Sequence, residues 1–312
     1  MGVLTRFSVN KTTIDFMALR PFTALLSLVL VLASVASLLI NGLPLGLDFT
    51  GGTLIEVGYS QAPSLEDIRV LLAAAGHEGA LVQTFGSLND VLIRLSSSYT
   101  PEIGEKVRNL LQSATSEVVD LRRTEFVGAQ VGEDLRERGG MGVLVALAMI
   151  TLYVSFRFQL KFAIGAVVAL FHDVIIVLGA FSLFGWDFDL TVLAAILAVI
   201  GYSLNDSLVV ADRIRENIRR RRQGSMRDLV NLSLNETLSR TLMTSFTTLL
   251  VVIALFLFGG SMIHGFATAL LVGIAVGTYS SIYVASDLLL WMNLQSEDLV
   301  RTPAQVEEDL LP

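Results

Sequence analysis

Six apolar stretches, each long enough or nearly long enough to cross a bilayer, constrain this chain more than any other feature. They lie at 21–40, 141–156, 162–183, 190–210, 242–258 and 266–291. A spanning helix needs about 20 apolar residues, so the second and fifth are expected to extend by a turn at either end. Charged residues make up 16% of the 312, well below the roughly 25% of soluble domains. With a mean hydropathy of +0.66, the excess cannot be one oversized core. The expected fold is a polytopic α-helical membrane protein with six transmembrane helices.

Net charge is −7, but the basic residues gather between spans. Arg6, Lys11 and Arg20 precede the first, and Arg157 and Lys161 sit in the second-to-third turn. Arg213, Arg215, Arg219, Arg220, Arg221, Arg222 and Arg227 crowd the fourth-to-fifth loop. The positive-inside rule puts all three groups on the cytoplasmic side, and six spans make that consistent. Residues 1–20 then form a cytoplasmic N-terminus, 21–40 the first span and 41–137 an external domain. Residues 138–292 form a five-helix bundle with a basic cytoplasmic loop at 211–237, and 293–312 a cytoplasmic tail. A basic loop can also bind anionic lipid or a partner. The first span is too long for a signal-peptide core and lacks a small-x-small cleavage site, so it reads as a retained anchor.

The external segment has ordinary soluble character. "TLIEVGYS", "ALVQTFG", "DVLIRLS" and "EVVDLRRTEFVG" read as strands, with "SLN" as a turn between the second and third. "SLEDIRVLLAAAG" opens with Ser64 as a helix cap and closes on Gly76, and "PEIGEKVRNLLQSA" begins as helices do. The order β-α-β-β-α-β is that of ferredoxin-like domains. There are no cysteines, so no disulfide or thiolate metal site holds it. No P-loop, nucleophile–base set or metal-ligand spacing occurs. No metal, cofactor, nucleic acid or catalytic role is therefore expected, and the domain reads as a recognition or mechanical element.

The functional signal is polar residues inside the spans. The fourth is interrupted by Tyr202, Ser203, Asn205, Asp206 and Ser207. A buried carboxylate costs about 2.5–3.5 kcal/mol on insertion scales, so Asp206 needs a partner, a cavity or a role. In the fifth span, Arg240 leads a stripe with Thr244, Thr247 and Thr248 that should face the bundle interior. An Asp206–Arg240 pair is geometrically allowed, either as a structural ion pair or as a proton site whose carboxyl responds to the arginine's approach. His172 and Asp173, near the middle of the third span, are second candidates with relay and structural roles both open. Neighbours on one helix point to different faces, so at most one is expected to join the Asp206 cluster. Gly273 and Gly277 form a G-xxx-G that reads as close helix packing.

The motifs "LGLDFTGG", "FVGAQVG", "FRFQ", "FHDV", "GYSLNDSLVVADRIREN", "SRTLMTS" and "LFLFGG" resemble the SecD/SecF family of protein-export membrane proteins, on its SecF side. They run in order over nearly the whole chain. The resemblance implies a bacterial inner-membrane subunit with its large domain in the periplasm and both termini in the cytoplasm. It implies pairing with SecD beside the SecYEG channel, and unfolded secretory polypeptides as clients. It also implies use of the proton-motive force, as in the RND superfamily, with Asp206 and Arg240 as the working charges. A small-molecule proton exporter and a non-transporting scaffold are the competing classes.

Overall fold

The computed structural model describes residues 14–95, 100–221 and 225–295. Arg6, Lys11, Arg222 and the tail from 296 lie outside the described residues.

In chain order, α1 (Arg20–Ile40) leads through the short α2 (Leu47–Thr50) into β1 (Gly52–Tyr59) and α3 (Leu65–Ala74). Then come β2 (Leu81–Phe85), β3 (Ser87–Leu95), α4 (Ile103–Ser113) and β4 (Val119–Val127). The remainder is helical: α5 (Ala129–Arg157), α6 (Leu160–Phe184), α7 (Leu190–Arg220), α8 (Met226–Phe258), α9 (Ser261–Ile282) and α10 (Val284–Trp291). Six spans are long and apolar enough to cross a membrane, with α9 and α10 making up the last.

The sheet is antiparallel in the order β2-β3-β1-β4, which is the ferredoxin-like arrangement the strand and helix order implied. Ser64 caps α3 by accepting from the Asp67 amide. α3 ends at Ala74, and Gly76 takes φ +89° just beyond it. One detail differs from the sequence reading. The "SLN" segment belongs to β3, and the turn is made by Gly86 at φ +73°, a conformation side chains resist. Ile55, Val57, Leu72, Ile93, Val107 and Leu111 form the centre of this domain's core beneath α3 and α4.

In the bundle, α6 is the central helix. Two-thirds of its most apolar window (67%) is buried, against 11% for α1 and α5. The outer helices instead present Leu, Val and Phe outward, such as Leu25, Leu32, Leu144, Val145, Phe246 and Val251. That is the surface expected where lipid, not water, is the solvent.

Several helices outrun their apolar stretches. α5 begins at Ala129 and α8 at Met226, and α7 continues to Arg220. The stretch read as a basic loop is therefore mostly helix. Its polar ends are held by cross-helix bonds: Arg213 to Glu236 at 2.7 Å, and Asn217 to Ser233 at 2.9 Å. The final apolar run is also not one helix, because it breaks at Tyr283.

Candidate functional site

The buried polar groups of the bundle gather where α6, α7, α8 and α9 meet. Asp206, on the inner face of α7, is 7% exposed. Its Oδ1 accepts from the Thr241 hydroxyl of α8 at 2.6 Å, and its Oδ2 from the Ser281 hydroxyl of α9. One turn earlier, Ser203 donates at 2.5 Å to Asp173 of α6. Asp173 is wholly buried and also accepts from Ser280 of α9 at 2.7 Å. Its other oxygen lies 2.9 Å from His172 Nδ1. Two carboxylates thus face successive hydroxyls of a single Ser280–Ser281 step.

Close helix approach makes this geometry reachable for short serine side chains. A Cβ on Gly273 would meet the Val199 methyls at 2.3 and 2.7 Å, and one on Gly277 would meet Ser203 Cβ at 3.1 Å. The two glycines let α9 lie directly on α7, as the G-xxx-G spacing suggested.

Asp206, Ser203, Asp173 and His172 are brought together. His172 joins because its ring folds back onto the neighbouring carboxylate, so the expectation that only one of the pair would join is corrected. Arg240, Thr244 and Asn205 are not brought in. Asn205 is on the exposed side of α7. Arg240, Thr244 and Thr247 are exposed on α8, and the threonine hydroxyls bond to carbonyls of their own helix. The stripe expected inside is therefore outside. The interior stripe of α8 is Thr237, Thr241 and Ser245, one position round the helix from it. Asp206 takes its bonds from hydroxyls, and no ion pair joins it to Arg240 among the described residues.

The residues the sequence reading missed are Thr241, Ser280 and Ser281. The available signal was four polar residues, Thr278 to Ser281, in an otherwise apolar run. Ser245, Thr278 and Tyr202 extend the network at 2.7 and 3.1 Å. Among the described residues no cluster of His, Asp or Glu could hold a metal.

Comparison with known proteins decides the family. The family model described as "Protein export membrane protein SecD/SecF, C-terminal" matches residues 106–295, and the SecD/SecF GG motif matches 36–63. Protein translocase subunit SecF of Pseudomonas aeruginosa is 50% identical over 98% of this chain and 100% of its own length. That of Vibrio alginolyticus is 52% identical over 96% and 95%. This chain belongs to the SecD/SecF family.

The crystal structure of SecDF, a translocon-associated membrane protein from Thermus thermophilus, superposes with a TM-score of 0.81 at 40% identity. The match covers 90% of this chain but 39% of that one, so this chain spans about two-fifths of the solved protein.

The SecD/SecF GG motif has a direct physical meaning here. Gly51 and Gly52 take φ +68° and +119°. A Cβ on Gly51 would lie 2.7 Å from Ala129 Cα, and one on Gly52 would lie 2.6 Å from the Leu95 carbonyl oxygen. Only glycine lets β1 start between the end of the sheet and the head of α5. Beside it, Asp48 Oδ2 accepts from the Leu190 amide at 3.0 Å, adding to the cap that Asp189 makes on α7, the helix that carries Asp206. Arg94 of β3 joins the same corner, 3.0 Å from Asp187 and 2.9 Å from the Leu45 carbonyl. The sheet domain is thereby tied to the head of α7.

Proposed function

We propose that this chain is the SecF subunit of a Sec-pathway protein translocase, a transport component and not an enzyme. It pairs with SecD beside the SecYEG channel and assists late movement and release of unfolded secretory polypeptides. Its place is the bacterial inner membrane, with the sheet domain in the periplasm and both termini in the cytoplasm. The name and coverage of the relatives support the subunit assignment, and the SecDF name of the longer Thermus chain supports the partner.

In this reading the work comes from the proton-motive force, and Asp206 carries the proton. The observation that supports it most is a buried carboxylate held by two hydroxyl donors and no cation among the described residues. Hydroxyls can serve either form of the carboxyl, donating to the anion and accepting from the acid. A fixed arginine partner would lock the anion. Arg240 adjoins Thr241 on α8, so a turn of that helix, driven by the partner subunit, exchanges a hydroxyl for a guanidinium at Asp206 and expels the proton. One charge crossing 100 mV supplies about 2.3 kcal/mol. That is enough to shift a two-state equilibrium some fifty-fold, and the link from Asp48 to α7 carries the shift to the sheet domain.

The test is export into membrane vesicles bearing Asp206→Asn, with and without an imposed proton gradient, alongside subunit abundance and SecD association. Loss of only the gradient-dependent release is expected. Full gradient dependence in a normally assembled variant overturns the proton role.

A further inference from the structure

We propose that Asp173 is a second proton-binding carboxylate, placed on the sheet-domain side of Asp206 and passing its proton to Asp206 along the Ser280–Ser281 step of α9. The inference rests on the reading of Asp206 as a proton site and adds a station before it and an exit after it.

Three helices agree on the order. At 1.5 Å per residue, Asp173 lies about 17 Å from the domain-side end of α6, and Asp206 about 24 Å from that of α7. α9 descends from the same side, so Ser280, bonded to Asp173, stands above Ser281, bonded to Asp206. Ser203, bonded to Asp173, precedes Asp206 on one face of α7.

Asp173 meets His172 of its own helix, Ser203 of α7 and Ser280 of α9, with the Tyr279 ring stacked on the imidazole at 6.2 Å. Asp206 meets Thr241 of α8 and Ser281 of α9. No lysine or arginine is paired with either among the described residues. Both carboxylates are buried, and adjacent hydroxyls of α9 link them to one helix. The His172 Nε2 atom is buried without a partner, so the imidazole keeps one free nitrogen at the head of the path.

In the transfer, the O–H bond of protonated Asp173 breaks and its proton joins the oxygen of an intervening hydroxyl or water. That group releases its own proton to Asp206 Oδ2. Asp173 ends as carboxylate and Asp206 as carboxylic acid, with the intervening group regenerated.

The exit has an independent mark. Just beyond Asp206, away from the sheet domain, α6, α7 and α10 line a small, partly open cavity of ≈ 10 Å³. Ser207 and Ser286 supply the polar side chains among its lining residues, and both hydroxyls are buried without a partner. This is about the volume one water needs, and the hydroxyls supply polar contacts for it. The break at Tyr283 lies between this cavity and the Ser280–Ser281 step.

The experiment uses the chain assembled with SecD in proteoliposomes, with Asp173→Asn, Asp206→Asn and Ser280→Ala compared. Infrared carboxyl-stretch titration is expected to show two titrating carboxyls in the parent and one in each Asn variant. Asp173→Asn should lose gradient-dependent release, and Ser280→Ala should slow proton uptake at unchanged assembly. Normal release in Asp173→Asn with loss in Asp206→Asn overturns this inference alone. Normal release in both overturns the proton reading itself. If Asp173→Asn fails to assemble, Ser280→Ala decides, since unchanged proton uptake there overturns the relay.

Discussion

Gly273→Ala, the addition of one methyl group, is a demanding test of the α7–α9 contact. The new Cβ would sit 2.3 and 2.7 Å from the two γ-carbons of Val199 and 3.0 Å from its Cβ. Ordinary carbon contacts are roughly 3.5–4.0 Å. Val199 cannot rotate out of the way, because a β-branched side chain in a helix holds one strongly preferred rotamer and its Cβ is itself too near. The helices must separate, at an overpacking cost of about 1–3 kcal/mol. Against this, alanine gains up to about 1 kcal/mol over glycine as a helix former. The expected net loss is roughly 0–2 kcal/mol.

Reversible unfolding in mixed micelles, followed by circular dichroism, measures it. A double-mutant cycle with Val199→Ala isolates the clash, and relief should appear as a coupling of at least about 1 kcal/mol. Additivity within about 0.5 kcal/mol, or a variant more stable than the parent, would falsify the packing account. The functional consequence is specific. Separating α9 from α7 draws Ser281 away from Asp206, so Gly273→Ala should also reduce gradient-dependent release, with Val199→Ala restoring part of it.

Thr241→Val is nearly isosteric and removes a donor from Asp206. It should weaken gradient-dependent release, while Thr247→Val, whose hydroxyl bonds within its own helix, should not. Gly51→Ala should destabilise the joint between β1 and α5 far more than Gly42→Ala. Both have positive φ, but only the first meets backbone within 4 Å; amide exchange around residues 126–132 reads the difference. Burial pushes the Tyr59 hydroxyl up to about 12 from its usual 10. The folded domain therefore keeps this proton while the unfolded chain ionises, so stability holds below pH 10 and declines from 10 toward 12. Tyr59→Phe should lose that component of the alkaline decline in a denaturation series.

Much of this molecule is written locally. Apolar runs of bilayer length dictate six spans because the hydrocarbon core leaves a backbone no alternative to helix. Ser64 and Gly76 mark the helix ends, and alternation marks the strands, because capping and pleat act over a few residues. Asp206 announces itself because a carboxylate in such a run is costly. Gly273 and Gly277 announce the close contact for a similar local reason.

What the tertiary structure alone decided is which polar groups meet. One position on α8 separates the exposed Arg240 from the buried Thr241, and a periodicity of 3.6 does not say which edge of a broad polar stripe faces inward. Ser280 and Ser281 are small and uncharged, so nothing in their own chemistry marks them out from other packing serines. Their role depends on α9 lying directly against α7 and on Asp173 arriving from α6. The bond from the first amide of α7 to Asp48 spans 142 residues of sequence. It exists because two chain segments close in space, which is a property of the fold and not of either segment.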